Sequence, residues 1–253
     1  MGTTVKISTK DVSDLTQTQE LLRLALSCGK GGVSGVFNVA MVLSDALFDN
    51  QTAEQFRKVL APKAQATRNL DVVCRELCPQ MDYFVCFSSI SCGRGNSGQS
   101  NYGFANSVME RVCERRRAQG LHGLAIQWGA IGDVGVVAET MGGNETVIGG
   151  TLPQRMNSCL ATLDHCLQEH HSVMSSVVRA DHKIDATNKK GNLMKTIAHI
   201  LGLKDHTSLD RNTTLGELGM DSLMSVEVKQ TLERDYDCIL NMEDIRRLTH
   251  IWQ

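Results

Sequence analysis

Ser89 and Tyr102 stand thirteen residues apart, the serine behind an apolar run and the tyrosine near the start of a helix-forming stretch. A strand-end serine and a tyrosine at the head of the following helix can converge on one carbonyl oxygen, the serine donating a hydrogen bond and the tyrosine a proton. A free phenol titrates near about 10, so a nearby cation is needed to make it a good acid at neutral pH. Lys63, upstream, is placed to supply that charge, and Asn106 lies one helical turn beyond Tyr102 on the same face. Singly, each residue has an ordinary use as a turn former, a packing ring or a solvated amine. Their order and spacing together point to acid-assisted chemistry at a ketone or alcohol.

A second serine, Ser222, sits in Leu218-Gly219-Met220-Asp221-Ser222-Leu223. Asp221 is a favoured N-cap type, and no glycine or proline interrupts Leu223 to Arg234, so Ser222 falls in the first turn of a helix. The unpaired N–H groups and the positive dipole end there suit an anionic ester, so a phosphodiester on Ser222 would be electrostatically favoured. Val228 and Leu232 are expected to face that module's core, with Leu223, Met224 and Val226 near the serine. Asp221, Glu227 and Glu233 are expected to frame an acidic docking face.

The elements that must position these residues alternate. Val5 to Thr9 can form a short strand, and Asp11-Val12-Ser13-Asp14 caps a helix from about Leu15 to Leu26. Cys28-Gly29-Lys30-Gly31-Gly32-Val33-Ser34-Gly35 ends that helix and feeds the strand Val36 to Ala40. A phosphate-binding glycine loop leaves a strand and opens a helix, so this one is read as a helix stop and turn. A helix from Thr52 to about Leu77, bent near Pro62, leads into the strand Tyr83 to Phe87, with Ser88 to Ser91 at its end. A glycine-rich loop, a helix from Tyr102 to Arg117, a strand Leu124 to Trp128 and a loop Gly129 to Gly135 follow. Leu152 to Glu169 reads as a helix and Ser172 to Val178 as a last strand. This order predicts an α/β domain over 1–180, with a doubly wound parallel sheet and its site at the strands' carboxyl ends. Residues 181–192 read as a polar linker. Beyond it, 193–253 read as a small all-α module with helices at Leu193 to Leu203, after Asp221, and at Asn241 to Leu248.

With 42% hydrophobic residues in 253, the chain can bury one or two cores. A formal net charge of −2 argues against a general nucleic-acid surface. Residues 205–244 hold ten Asp and Glu against three Lys and Arg, a local net of −7 that suits basic partner proteins. Nine cysteines without a C-x-x-C pair fit reduced thiols in the cytosol and no metal site. No apolar run approaches the roughly 20 residues of a membrane span.

These residues carry a family resemblance. Ser89, Tyr102 and Lys63 resemble the catalytic set of the short-chain dehydrogenase/reductase family. The usual Tyr-x-x-x-Lys is here Tyr102-Gly103-Phe104-Ala105-Asn106, with the lysine upstream, as in ketoreductase domains of multifunctional synthases. The Ser222 helix resembles acyl carrier protein. Phe87-Ser88-Ser89, Gly93-Arg94-Gly95-Asn96, Gly98 to Tyr102, Gln127 to Gly135, Gly150 to Met156 and Gly219 to Leu223 are together similar to the animal type I fatty acid synthases.

That resemblance implies an NADPH-dependent reductase of carrier-bound 3-oxoacyl groups, with acyl chains held as thioesters on 4'-phosphopantetheine at Ser222. Ser89 and Tyr102 would polarise and protonate the ketone. Lys63 would lower the tyrosine's pKa and hold the nicotinamide ribose, and Asn106 would position the lysine and a water. Asp11 would sit near the adenine and Asn38 beneath the cofactor. The implied partners are the other catalytic domains of the same synthase, a phosphopantetheinyl transferase and acyl substrates, in a cytoplasmic homodimer, with neither nucleic acid nor membrane. A reductase of this family begins with a strand, a T-G-x-x-x-G-x-G loop and a basic second strand, so the sequence reads as one lacking its first βαβ unit. It also stops before the carrier's last helix, which reads as a segment of a longer polypeptide. Two alternatives stand beside the fatty acid synthase: a polyketide synthase ketoreductase with its carrier, and a non-catalytic carrier fragment without the cofactor-phosphate loop.

Overall fold

A computed structural model describes residues 3–28, 31–134, 151–179, 189–201, 214–215, 218, 220–236 and 244–245. The chain divides into two compact units, one of residues 1–45 with 50–180 and one of 181–253 with 46–49.

The first unit is built on four parallel strands, β1 (Gly35–Asn38), β2 (Tyr83–Ser89), β3 (Leu124–Trp128) and β5 (Val173–Ser176), in the order β1-β2-β3-β5. Phe37 pairs with Val85, Ser89 with Trp128 and Trp128 with Ser176, which brings the carboxyl ends of the strands to one edge. Burial on both faces explains the unbroken apolar run Phe84-Val85-Cys86 of β2. Phe84, Cys86 and Ala125 pack with Leu22 of α1 (Leu15–Ser27), Leu70 and Val73 of α3 (Ala66–Leu77), and Met109 and Val112 of α5 (Ser100–Ala118). Val85, Leu124 and Ile126 pack on the other face with Cys159 and Cys166 of α6 (Met156–Gln168). The sheet is doubly wound, as the alternation of elements predicts. Among the described residues no helix is long and apolar enough to cross a membrane.

Helix starts follow their caps. Asp14 accepts from the N–H of Gln17 at α1, and Thr52 with Gln55 forms a reciprocal capping box at α2 (Ala53–Leu60). Several expectations are corrected. Val5 to Thr9 forms no strand: Val5 and Ile7 are 78% and 91% exposed, and no neighbour offers a ladder among the described residues. The helix expected over 52–77 with a bend near Pro62 is present, running without a break through α2, a π-helical turn at Ala61–Gln65 and α3. Ser89 caps a short helix α4 (Ile90–Arg94) where a loop was expected. Leu152 belongs not to a helix but to β4 (Thr151–Leu152), antiparallel to β6 (Val178–Arg179), because Pro153 cannot continue a helix backwards from α6.

Gly123 marks the tightest approach in this unit. A Cβ built there would lie 2.5 Å from the Cys113 carbonyl oxygen and 3.0 Å from the Arg116 Cβ, so α5 and the turn into β3 meet backbone to backbone. Gly123→Ala should cost about 1–3 kcal/mol as an overpacking change, read as a lower unfolding midpoint in urea. Gly31→Ala is the control, since nothing lies within 4 Å of its added Cβ. Equal midpoints for the two variants would show that α5 is not held this closely.

In the second unit, Ile197 of α7 (Lys189–Ile200) and Val228 and Leu232 of α8 (Ser222–Tyr236) form a core with Leu201, Leu215 and Ile245. α7 begins inside the stretch expected as linker; most of that stretch, and nearly all of the helix expected over 241–248, lie outside the described residues. Val228 and Leu232 face the core as expected. Met224, expected near Ser222, packs partly against the same core, and Glu233 pairs with Lys229, which reduces the acidic face.

Candidate functional site

The carboxyl end of β2, the π turn and the start of α5 meet at one place. The π turn exists because Pro62 contributes no N–H and the ladder widens around it: the N–H of Ala66 reaches the carbonyls of Ala61 and Lys63. Asn38, buried at the end of β1, locks the turn from below, donating from Nδ2 to the Pro62 carbonyl at 3.2 Å and to Thr67 Oγ1 at 2.9 Å. Its Oδ1 accepts from the N–H of Ala40 at 3.1 Å. The amide expected beneath a cofactor is thus committed to the turn that carries Lys63, a connection no local sequence signal announces.

Lys63 is 2% exposed. Its Nζ donates to the Phe87 carbonyl at 2.7 Å, lies 3.9 Å from Met109 Sδ and sits 5.2 Å from the centroid of the Tyr102 ring. Burial pulls its pKa down to about 8, with the neighbouring Cys86 opposing. The lysine is therefore oriented by a main-chain carbonyl of β2. Asn106 Nδ2 donates to the Tyr102 carbonyl at 2.9 Å, while its Oδ1 is buried with no protein partner.

Tyr102 is buried, and its hydroxyl donates to Met41 Sδ at 3.4 Å. Burial holds the phenol above its usual range, although hydrogen bonds from Asn106 and Ser89 pull the other way; the Asp45 carboxylate adds to the rise. The lowering expected from Lys63 does not set the net direction of this shift. The ammonium lies over the ring, and desolvation of the phenolate outweighs the favourable contacts. The consequence is a tyrosine that keeps its proton at neutral pH. Ser89 Oγ accepts from the N–H of Ser91 at 3.2 Å. Met41, from the segment after β1, is a neighbour that sequence reasoning missed.

Asp11 is exposed in the turn before α1. Its Oδ1 accepts from Ser13 N at 2.8 Å and Ser13 Oγ at 2.7 Å, and these bonds hold its pKa below the usual range. Asn69 of α3 donates to the carbonyls of Val12 and Ser13 at 3.0 and 2.8 Å, which ties this turn to α3. Among the described residues no hydrogen bond or ion pair joins Asp11 to the Ser89–Tyr102–Lys63 group.

In the second unit Asp221 caps α8 as expected: its Oδ1 accepts from the N–H of Met224 at 2.8 Å. Ser222 is the first residue of that 15-residue helix. Its side chain lies outside the described residues.

Residues 1–133 match the KR domain family model, and residues 192–251 match the model of a phosphopantetheine attachment site. A highly reducing polyketide synthase of Alternaria alternata is 38% identical over 140 residues, 55% of this chain and 6% of that protein. A polyketide synthase–nonribosomal peptide synthetase hybrid of Aspergillus japonicus is 27% identical over 286 residues, 90% of this chain and 7% of that protein. The solved structure of an A1-type ketoreductase superposes with a TM-score of 0.63 at 26% identity, covering 68% of this chain and 36% of that one. The chain thus spans a small part of the curated relatives it matches.

KR domains of this type use NADPH, and phosphopantetheine attachment domains carry 4'-phosphopantetheine. The residues here fit the nicotinamide end of the first: Lys63 and Tyr102 converge there, and the unpaired Asn106 Oδ1 offers an acceptor. Among the described residues no glycine loop leaves a strand and opens a helix, so no pyrophosphate cradle accompanies them. The capped start of α8 fits the phosphodiester of the second.

Proposed function

Because this chain belongs to the KR domain family and carries a phosphopantetheine attachment domain behind it, we propose that it is the ketoreductase–carrier segment of a type I multifunctional synthase. Its reaction is the reduction of a carrier-bound 3-oxoacyl thioester to the 3-hydroxyacyl thioester. The observation that carries this is the convergence of Ser89, Lys63 and a still-protonated Tyr102 at the sheet's carboxyl edge. NADPH, when bound, supplies the hydride. Tyr102 Oη gives its proton to the ketone oxygen, which replaces the weak thioether acceptor of Met41. Ser89 steadies the same oxygen with a hydrogen bond, and the Lys63 ammonium favours the phenolate left behind. The acyl chain is held on Ser222.

Of the two synthase classes, the relatives support a polyketide synthase. The fatty acid synthase reading rests on the run Gly150 to Met156 and the carrier run Gly219 to Leu223. The test is to supply the chain with NADPH and a short 3-oxoacyl thioester, following NADPH absorbance and the hydroxy product by mass. Turnover supports the reductase, and its absence at saturating NADPH supports the carrier-only alternative. A pH profile adds a sharper check. Lys63 is charged below about 8 and neutral above, so kcat should fall as pH rises through that value. A profile flat across that range would remove the ammonium from the mechanism.

A further inference from the structure

The buried carboxylate of Glu110, on α5, takes no part in the chemistry above, yet it sits where three segments around Ser89 meet. Oε1 accepts from Ser88 Oγ at 2.5 Å and from Gln127 Nε2 at 2.9 Å; Oε2 accepts from Cys92 Sγ at 3.4 Å. Gln127 is itself set by Ser175, whose Oγ donates to Gln127 Oε1 at 2.6 Å, which turns the amide NH2 toward Glu110. The cation nearest in the ion-pair geometry, Arg111, stands 3.9 Å from Oε2 and pairs more closely with Glu114 at 2.7 Å. A carboxylate so buried is costly unless its acceptor sites are filled, and here neutral donors fill them from β2, α4 and β3.

Resting on the reductase reading above, we propose that Glu110 is a positioning residue: it clamps the chain on both sides of Ser89 and thereby sets the direction in which the Ser89 hydroxyl donates. On one side it holds Ser88. On the other it holds Cys92, in the short α4 whose first N–H donor, from Ser91, fills an acceptor site of Ser89 Oγ at 3.2 Å. A hydroxyl has one hydrogen to give, and with a main-chain N–H behind it that hydrogen points away from α4, to the side of Tyr102. A five-residue helix does not hold its own orientation. The Ser91 side chain gives no help, since its Oγ is buried without a partner. Glu110 holds α4 through Cys92, beside the close approach of Gly103 on α5, whose added Cβ would lie 3.3 Å from the Ser91 carbonyl oxygen, and a contact of Cys92 with Ser107.

The phenol of Tyr102 reports this orientation, because Ser89 is one of the hydrogen bonds that lower its pKa. The experiment uses the full chain with 3-fluorotyrosine, whose more acidic phenol titrates at milder pH, followed by fluorine NMR and assigned with Tyr102→Phe. Ser89→Ala should move the Tyr102 midpoint upward. Glu110→Gln should move it in the same direction, and the double variant no further than Ser89→Ala alone. Ser88→Ala removes only one hydroxyl and should give the same sign, which keeps the test decisive if Glu110→Gln fails to fold. An unmoved midpoint in Ser88→Ala and Glu110→Gln, or additive shifts in the double variant, overturns the clamp. Where the unmodified chain turns over, Glu110→Gln should lower kcat about 10- to 100-fold with KM unchanged. If the unmodified chain reduces nothing, the reductase reading fails, and the fluorine titration still decides on Glu110.

Discussion

Replacing Tyr102 by phenylalanine should lower ketone reduction by about 10²- to 10⁴-fold, the usual contribution of a positioned general acid, while the chain stays folded. The two halves of that expectation come from different parts of the side chain. The ring packs against Val59 and Ala105, with Leu43 and Leu60 beside them, and lies under the Lys63 ammonium; phenylalanine keeps all of this. The hydroxyl alone is lost, with its thioether acceptor Met41 and the contacts to Ser89 and Asn106, worth about 1 kcal/mol of stability at most in net terms. Burial keeps that hydroxyl protonated at neutral pH, so the phenylalanine variant loses a proton that the wild-type chain has ready to give. The measurement is steady-state reduction of a 3-oxoacyl thioester beside a thermal melt of each protein. Near-normal reduction by the phenylalanine variant would take Tyr102 out of the mechanism.

The parts of this site that were legible in the sequence are those fixed by local spacing. Ser89 and Tyr102 were readable because a strand end and a helix start are both written in short runs, and Asn106 followed from one helical turn. Caps at Asp14 and Asp221 were readable for the same reason, since each is settled within three residues. Lys63 was placed on a bent helix near Pro62, but what orients it was not readable. Its partner is the carbonyl of Phe87, 24 residues away, and its turn is locked by Asn38, just as far in the other direction. The sign of the Tyr102 shift failed for a related reason. Spacing can bring a lysine near a tyrosine, but only the packed structure says that the ammonium lies over the ring and that desolvation wins.

The same distinction explains the misses in the fold. Val5-Lys6-Ile7 has the alternation of a strand, and alternation says nothing about whether a neighbouring strand is there to pair with. Leu152 has the residues of a helix start, yet it pairs with Val178, a contact made across 26 positions of sequence. Nothing within a helical turn of Glu110 marks it as buried. Its donors come from Ser88 and Gln127, each on a separate strand.

A phosphopantetheinyl transferase with coenzyme A should add one 4'-phosphopantetheine to this chain, and Ser222→Ala should accept none. The argument starts from α8. Asp221 satisfies the N–H of Met224 through its side chain, and Ser222 is the first residue of a 15-residue helix, whose positive dipole end and first-turn N–H donors favour a phosphodiester at that position. The nearest competing serine is excluded by its own bonds. Ser225 is buried, and its Oγ donates to the Asp221 carbonyl at 2.8 Å, so it is committed to the helix backbone. Exchanging serine for alanine at the first helical position keeps a good helix former there and leaves the cap on Asp221 intact, so the core of Val228, Leu232 and Ile197 should be unaffected. The loss of modification would then be a loss of the attachment oxygen and not of the fold. Intact-mass spectrometry before and after the transferase reaction reads the result as one added group against none. Addition at another serine, or equal addition to the alanine variant, would sink the carrier assignment.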